Sequence, residues 1–145
     1  TLARPDPQFL GLMFVAATLR ELGARRVDLI APYLAYMRQD QRFEEGEAIS
    51  SLHFARLLSQ GFDGLITIDP HLHRRRDLNE IYSIPGRAVH AAPLIGAWIK
   101  RNIAAPLVIG PDGESLQWAR SVAEAADAPY TVMSKKRLGD RDGLL

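Results

Sequence analysis

Residues Gly64 to Arg76 read G-L-I-T-I-D-P-H-L-H-R-R-R, and this stretch decides the fold. Leu65, Ile66 and Ile68 make a short apolar run with the length of a buried strand, and Asp69-Pro70 ends it. Two histidines and three arginines then crowd into the loop that follows. An open α/β sheet seats its ligand just past the carboxyl ends of parallel strands, where this carboxylate, these imidazoles and these cations lie. The stretch therefore predicts a site for a polyanion, a phosphate ester accompanied by a divalent metal.

Working outward, the flanks repeat one pattern of helix, short apolar strand and polar loop. Upstream, Leu10, Met13, Phe14, Ala17 and Leu22 recur at helical spacing between Phe9 and Leu22, with Leu12, Val15 and Leu19 on other faces. That predicts a helix buried on more than one side. Gly23 closes it, Val27 to Ala31 reads as a strand ending at Pro32, and a long polar loop runs on to a helix over 48–60 stopped by Gly61. Loops of such length in compact domains are usually functional.

Downstream, residues 81–85 and 88–89 read as short extended pieces. Pro93 opens a helix to Asn102 with Leu94, Ile95, Trp98 and Ile99 inward. A strand over 107–109 runs into Gly110-Pro111-Asp112-Gly113-Glu114, a helix spans 115–126, and a last strand over 130–133 leads into Ser134-Lys135-Lys136-Arg137. Helices alternating with short apolar strands imply parallel sheets flanked by helices with right-handed crossovers, in one α/β domain or adjoining pieces of two.

Composition narrows the classes. At 145 residues, 47% hydrophobic and 24% charged, the chain can bury a core. Eighteen Lys and Arg against 17 Asp and Glu give a formal charge of +1, so no global basic field argues for nucleic acid. The absence of cysteine excludes disulfides, thiolate metal sites and cysteine nucleophiles. No apolar run reaches the length of a membrane span and nothing resembles a signal peptide, which reads as a cytoplasmic protein. The first residue is not methionine, and the chain reads as a fragment.

Four clusters carry candidate chemistry. Asp69 and His71, one residue apart, would point to one side of an extended chain. With substrate phosphates they suit Mg²⁺ imperfectly and Mn²⁺ somewhat better, whereas His71 and His73 together would suit zinc. The plain alternative is a turn cap beside solvated histidines. Arg38, Gln39, Asp40 and Arg42 form the second cluster: arginine forks match phosphate oxygens, and Gln39 can read a base or ribose edge. Taken by themselves they read more simply as a solvated loop with local ion pairs. Asp112, between a strand and a helix start, suits a metal-bridged anion, or an Asx turn with Ser115 as helix cap. Lys135, Lys136 and Arg137 could neutralise charge on a transferred phosphate, or be ordinary surface. Phosphate-loop, dinucleotide-binding and nucleophile-elbow fingerprints are absent.

In these motifs the sequence resembles the ribose-phosphate diphosphokinase (phosphoribosyl pyrophosphate synthetase) family. R-Q-D at Arg38 to Asp40, with Pro32-Tyr33, Tyr36 and Ile49-Ser50, matches its nucleotide loop. D-x-H at Asp69 and His71 matches its metal motif, Pro111-Asp112 the start of its second-domain P-D-x-G-G segment, and Lys135-x-Arg137 its catalytic loop. The resemblance implies two type I phosphoribosyltransferase-like domains, here part of the first over 1–91 and the beginning of the second over 92–145. It implies transfer of pyrophosphate from ATP to the C1 hydroxyl of ribose 5-phosphate. Arg38, Gln39, Asp40 and Arg42 would bind ATP, and His71, Asp112 and Asp69 would hold Mg²⁺. Lys135, Arg137 and His71 would be catalytic. A homo-oligomer is implied, with no nucleic-acid or membrane partner.

The departures are specific. Glu114-Ser115 stands where the family has a glycine pair, and Arg74-Arg75-Arg76 is foreign to its usual loop, which is about three residues longer here. The family's ribose-phosphate loop and its amino-terminal adenine-holding segment have no counterpart in the sequence, so the chain reads as incomplete for catalysis. A non-catalytic regulatory homologue and a phosphoribosyltransferase are the competing readings.

Overall fold

In the computed structural model the described residues are 2–134, 136–137 and 143–144, the last two pairs as backbone only. The chain divides into two compact units, residues 1–89 and 90–145.

The first unit opens with helix α1 (Pro5–Glu21), which has proline at its first turn, where the missing N–H costs nothing. Strand β1 (Asp28–Ile30), helix α2 (Ser50–Gly61) and strand β2 (Gly64–Ile68) follow as a strand–helix–strand crossover. Strand β3 (Gly86–Val89) completes a parallel sheet of order β1-β2-β3, with Leu29 beside Leu65 and Ile66 beside Arg87. Phe54, Ala55, Leu58, Leu29, Leu65 and Phe62 fill the space between α2 and the sheet. The amphipathic pattern of residues 48–60 is thus realised as predicted, because Leu58 and Ala55 lie on one helical stripe and are fully buried.

Asp63 ties this unit together. Its Oδ2 accepts the Val27 N–H at 2.7 Å and Nη2 of Arg20 at 2.8 Å, while its own N–H donates to the Val27 carbonyl at 2.9 Å. Arg20 also donates to the Gly61 carbonyl at 2.6 Å. One carboxylate therefore joins the end of α1, the entry to β1 and the turn between α2 and β2.

The link from β2 to β3 contains no α-helix. After the arginine run it forms a 3-10 turn at Leu78–Glu80, whose cap Asp77 accepts the Asn79 N–H at 2.7 Å. Leu78 is buried and lies so close to Gly86 that an added Cβ there would stand 2.8 Å from the leucine Cβ. Residues 81–85, expected to be extended, instead leave this turn with the Ile81 and Tyr82 N–H groups still donating to the Leu78 carbonyl.

The second unit contains helix α3 (Ala92–Asn102), strand β4 (Val108–Gly110), a 3-10 turn (Gly113–Ser115), helix α4 (Leu116–Ala126) and strand β5 (Tyr130–Val132). Strands β4 and β5 pair in parallel, and β6 (Lys136–Arg137) pairs antiparallel with β7 (Gly143–Leu144). Helices α3 and α4 meet at Gly96, where a Cβ would run into that of Ala125 and lie 2.7 Å from the Val122 carbonyl oxygen.

Two expectations about faces are corrected. Leu94, Ile95 and Trp98 were expected inward but are exposed, because the α3–α4 contact is made through small residues, Ala92 and Gly96, on the other side. Helix α1 buries only Ala16 fully and packs Phe9, Leu12 and Met13 against the core. Leu10, Phe14, Val15 and Leu19 remain exposed, so burial on more than one side is not seen. Its apolar residues ring the helix, and within this chain the core meets only one side.

Leu58→Ala should lower unfolding free energy by about 2–5 kcal/mol in urea denaturation, the usual cost of emptying a closed core position. A second expectation concerns acid. The Val27 N–H, and after it the Arg20 guanidinium, hold the Asp63 carboxyl below its ordinary range. A carboxyl depressed in the folded state contributes stability that is complete above its unfolded pKa and is lost as pH falls through the folded value. Asp63→Asn should therefore flatten the acid limb of a plot of urea midpoint against pH, below about pH 4, and lower the plateau above it.

Candidate functional site

Parallel pairing sends the chain out of β1 and β2 at the same edge of the sheet. After β1 the chain turns through Tyr36, which adopts a left-handed φ of 61° and whose carbonyl accepts the Gln39 N–H at 3.0 Å. The Tyr36 hydroxyl donates to Asp6 Oδ1 at 2.7 Å, and its ring meets Phe54 edge-on with centroids 5.0 Å apart. The turn is thereby anchored on α1 and α2, and beyond the buried Met37 the side chains of Arg38 and Gln39 are exposed.

Asp40 behaves differently. Expected among the ligand contacts, its side chain is only 2% exposed and faces the protein. Arg74 Nη1 approaches its Oδ1 at 3.4 Å, and Arg75 Nη2 reaches its backbone carbonyl at 3.4 Å and the Ser51 hydroxyl at 3.2 Å. Arg42 is exposed and donates from Nε to the Glu47 carbonyl at 3.0 Å. Gln39 lines a cleft of about 210 Å³ with Gln41, Phe43, Glu47 and Ser50. A larger cleft of about 340 Å³ opens between the starts of α1 and α2, lined by Asp6, Phe9, Tyr36, His53 and Phe54.

At the end of β2 the Asp69 N–H donates to the Val89 carbonyl at 3.0 Å, while Asp69 itself bends into the left-handed region at φ 40°. That bend removes the basis for expecting Asp69 and His71 on one side, since the alternation holds only in extended chain. His71 is half-buried, and its ring stacks on His73 with centroids 5.9 Å apart. Among the described residues no three His, Asp or Glu side chains gather to cage a metal. Mg²⁺ does not require a cage, because it keeps waters and substrate phosphates and takes one or two protein ligands. The oxygen and imidazole donors of Asp69 and His71 fit that partial role.

In the second unit Asp112 sits at the junction of β4 and the 3-10 turn. Its Oδ1 accepts the Ser115 N–H at 3.0 Å, and Ser115 Oγ accepts the Asp112 N–H at 3.3 Å, a reciprocal capping box. Lys135 lies outside the described residues, and Arg137 is described only as backbone of β6. Ser51 had no role in the sequence reading, and Arg74 and Arg75 counted there only as cations of a polyanion site, not as partners of Asp40. Thirty-five residues separate Arg75 from Asp40, so no local spacing announces their contact. Among the described residues, no helix is long and apolar enough to cross a membrane.

Residues 1–61 match the model of the N-terminal domain of ribose phosphate pyrophosphokinase. The chain is 38% identical over 135 residues to the ribose-phosphate pyrophosphokinase of Saccharolobus solfataricus, covering 91% of this chain and 45% of the relative. With that of Methanopyrus kandleri it shares 39% over 137 residues, covering 91% and 46%. It thus spans somewhat under half the length of these curated relatives. The crystal structure of phosphoribosylpyrophosphate synthetase from Mycobacterium smegmatis superposes with a TM-score of 0.72 at 23% identity, over 90% of this chain and 43% of that one. The fold is accordingly the type I phosphoribosyltransferase-like one, parallel sheets flanked by helices. The R-Q-D and D-x-H motifs stand at one sheet edge, and by descent the chain belongs to the ribose-phosphate pyrophosphokinase family.

Proposed function

We propose that the protein carrying this chain makes 5-phosphoribosyl 1-pyrophosphate. The C1 hydroxyl of ribose 5-phosphate attacks the β-phosphorus of ATP, the bond to the α-phosphate oxygen breaks, and AMP leaves. The observation that carries this reading is the exposed Arg38–Gln39 pair, set on an anchored turn beside the loop of His71, in a chain with these relatives.

Each residue has a role in the proposal. Arg38 forks onto phosphate oxygens, and Gln39, lining its cleft, takes the base or ribose edge. Arg42 adds charge to the same loop. His71, with Asp69 beside it, supplies donors to Mg²⁺, and Asp112 is the second unit's own candidate metal ligand. When bound, the ion neutralises charge on the β- and γ-phosphates. Lys135 and Arg137 stabilise charge developing on the transferred oxygens, where preorganised cations act most strongly. No covalent enzyme intermediate is required, since positioning and charge neutralisation suffice for phosphoryl transfer. The family reading extends to self-association as a homo-oligomer and to a cytoplasmic setting.

One observation favours a second reading, a non-catalytic regulatory homologue. Asp112 is engaged as a helix cap, in a segment where Glu114-Ser115 replaces the family's glycine pair. One experiment separates the two readings.

The full-length protein should bind ATP in calorimetric titration only weakly without Mg²⁺ and at least about tenfold more tightly with it. His71→Ala should remove most of that metal-dependent gain, and the unsubstituted enzyme should release AMP when ribose 5-phosphate is added. Metal-dependent binding without AMP release would establish the regulatory homologue. Absence of ATP binding by the folded full-length protein would sink the synthetase reading.

A further inference from the structure

The Arg74-Arg75-Arg76 run has no place in the family's motif, yet two of its members reach the nucleotide loop. A buried lone carboxylate is strongly unfavourable, and Asp40 is nearly sealed from solvent. Arg74 supplies its countercharge at 3.4 Å. Arg75 does something else: its Nη2 holds the Asp40 backbone carbonyl and the Ser51 hydroxyl, while the Ser51 N–H donates to the Gln39 carbonyl at 3.3 Å. Two polar atoms of this contact, Arg75 Nε and Asp40 Oδ2, one a donor and the other an acceptor, are buried without a hydrogen-bond partner among the described residues. The backbone of residues 39–40 is thus gripped between the start of α2 and the loop that carries Asp69 and His71.

We propose that Arg74 and Arg75 are positioning residues for the nucleotide, clamping Asp40 so that the exposed Arg38 and Gln39 hold a fixed direction relative to the Asp69–His71 loop. This rests on the ATP reading above. The argument is one of leverage. Arg38 and Gln39 are exposed and gain no orientation from packing, so their direction follows the backbone. The grip on that backbone comes from the Gln39 N–H to Tyr36 bond, the Ser51 N–H and Arg75. A small rotation of the 39–40 peptide, amplified along an arginine side chain, misplaces the fork, and displacements on the scale of an ångström are costly in phosphoryl transfer. The clamp contacts are long, at 3.2–3.4 Å, so each alone contributes little to stability and the hold rests on several acting together.

The test uses the full-length protein, with steady-state kinetics for both substrates and hydrogen exchange of the segment 38–52. Arg75→Ala should raise the KM for ATP about tenfold and speed exchange of this segment, while the KM for ribose 5-phosphate stays within about twofold. Arg75→Lys should restore ATP affinity only in part, because an ammonium lacks the planar fork that spans the carbonyl and the hydroxyl. If Arg74 acts through Asp40, Asp40→Asn with Arg74→Ala should be no worse than the more damaging single change. An Arg75→Ala protein with unchanged KM for ATP, equal rises in both KM values, or additive effects of the Asp40 and Arg74 changes would overturn the proposal. If the unsubstituted protein binds no Mg²⁺-ATP, the ATP reading fails and the nucleotide role of the clamp with it. Exchange then still judges the clamp itself: unchanged rates in Arg75→Ala would refute it, and faster rates would uphold it as a purely structural device.

Discussion

Asp28, Leu29 and Ile30 lie beside Gly64, Leu65 and Ile66 in a parallel ladder, and two further bonds carry the pairing past the carboxyl end of β1: the Ala31 N–H to the Ile66 carbonyl and the Ile68 N–H to the Pro32 carbonyl. The fully buried Thr67 adds its hydroxyl to the Pro32 carbonyl at 3.5 Å. Because the strands run the same way, both loops leave the sheet at one edge. R-Q-D and D-x-H, about thirty positions apart in sequence, become neighbours for that reason. A slip of one residue would turn Leu29 or Leu65 out of the core and carry each loop to the wrong height, so hydrophobic burial fixes the site's register.

Upon that register stands a charged contact whose value is not simply stability. In the pair of half-exposed Arg74 with buried Asp40, desolvation of the carboxylate offsets much of the attraction. Arg75, outside that pair, holds the Asp40 carbonyl and the Ser51 hydroxyl. The arginines give direction to the loop backbone, and the Tyr36 turn, braced on Asp6 and Phe54, supplies the other end of the same hold. Two loops and two helices thus contribute to the orientation of side chains that are themselves in solvent.

The sequence made the order of elements legible because hydrophobic periodicity changes wherever helix passes to strand, and Gly23, Gly61 and Pro93 mark the boundaries. It was less informative about faces. Trp98 and Leu94 read as inward because they are large and apolar, but a contact at Gly96 needs small residues on the packed side, and only the partner helix reveals that. The motif residues stood out by type and spacing, whereas their support did not. Asp40 reads as a ligand contact of the R-Q-D motif, and its burial depends on arginines supplied from beyond α2 and β2. The left-handed bend at Asp69 was equally hidden, since nothing in D-P-H announces a positive φ at the aspartate.

The second unit shows how a strand–helix junction can engage its own donors. Such junctions attract anions because the first N–H groups of the helix lack partners. Here Ser115 accepts the Asp112 N–H and donates its hydroxyl to the Asp112 carbonyl at 2.5 Å, while its own N–H goes to the Asp112 carboxylate. Two donors that could face an anion are therefore consumed locally. Ser115 also fits over Gly110, whose missing side chain leaves room for the serine hydroxyl. The junction therefore presents a fixed carboxylate whose nearest N–H groups are already engaged. In the electrostatics of a phosphate site such a carboxylate needs a cation between itself and the anion.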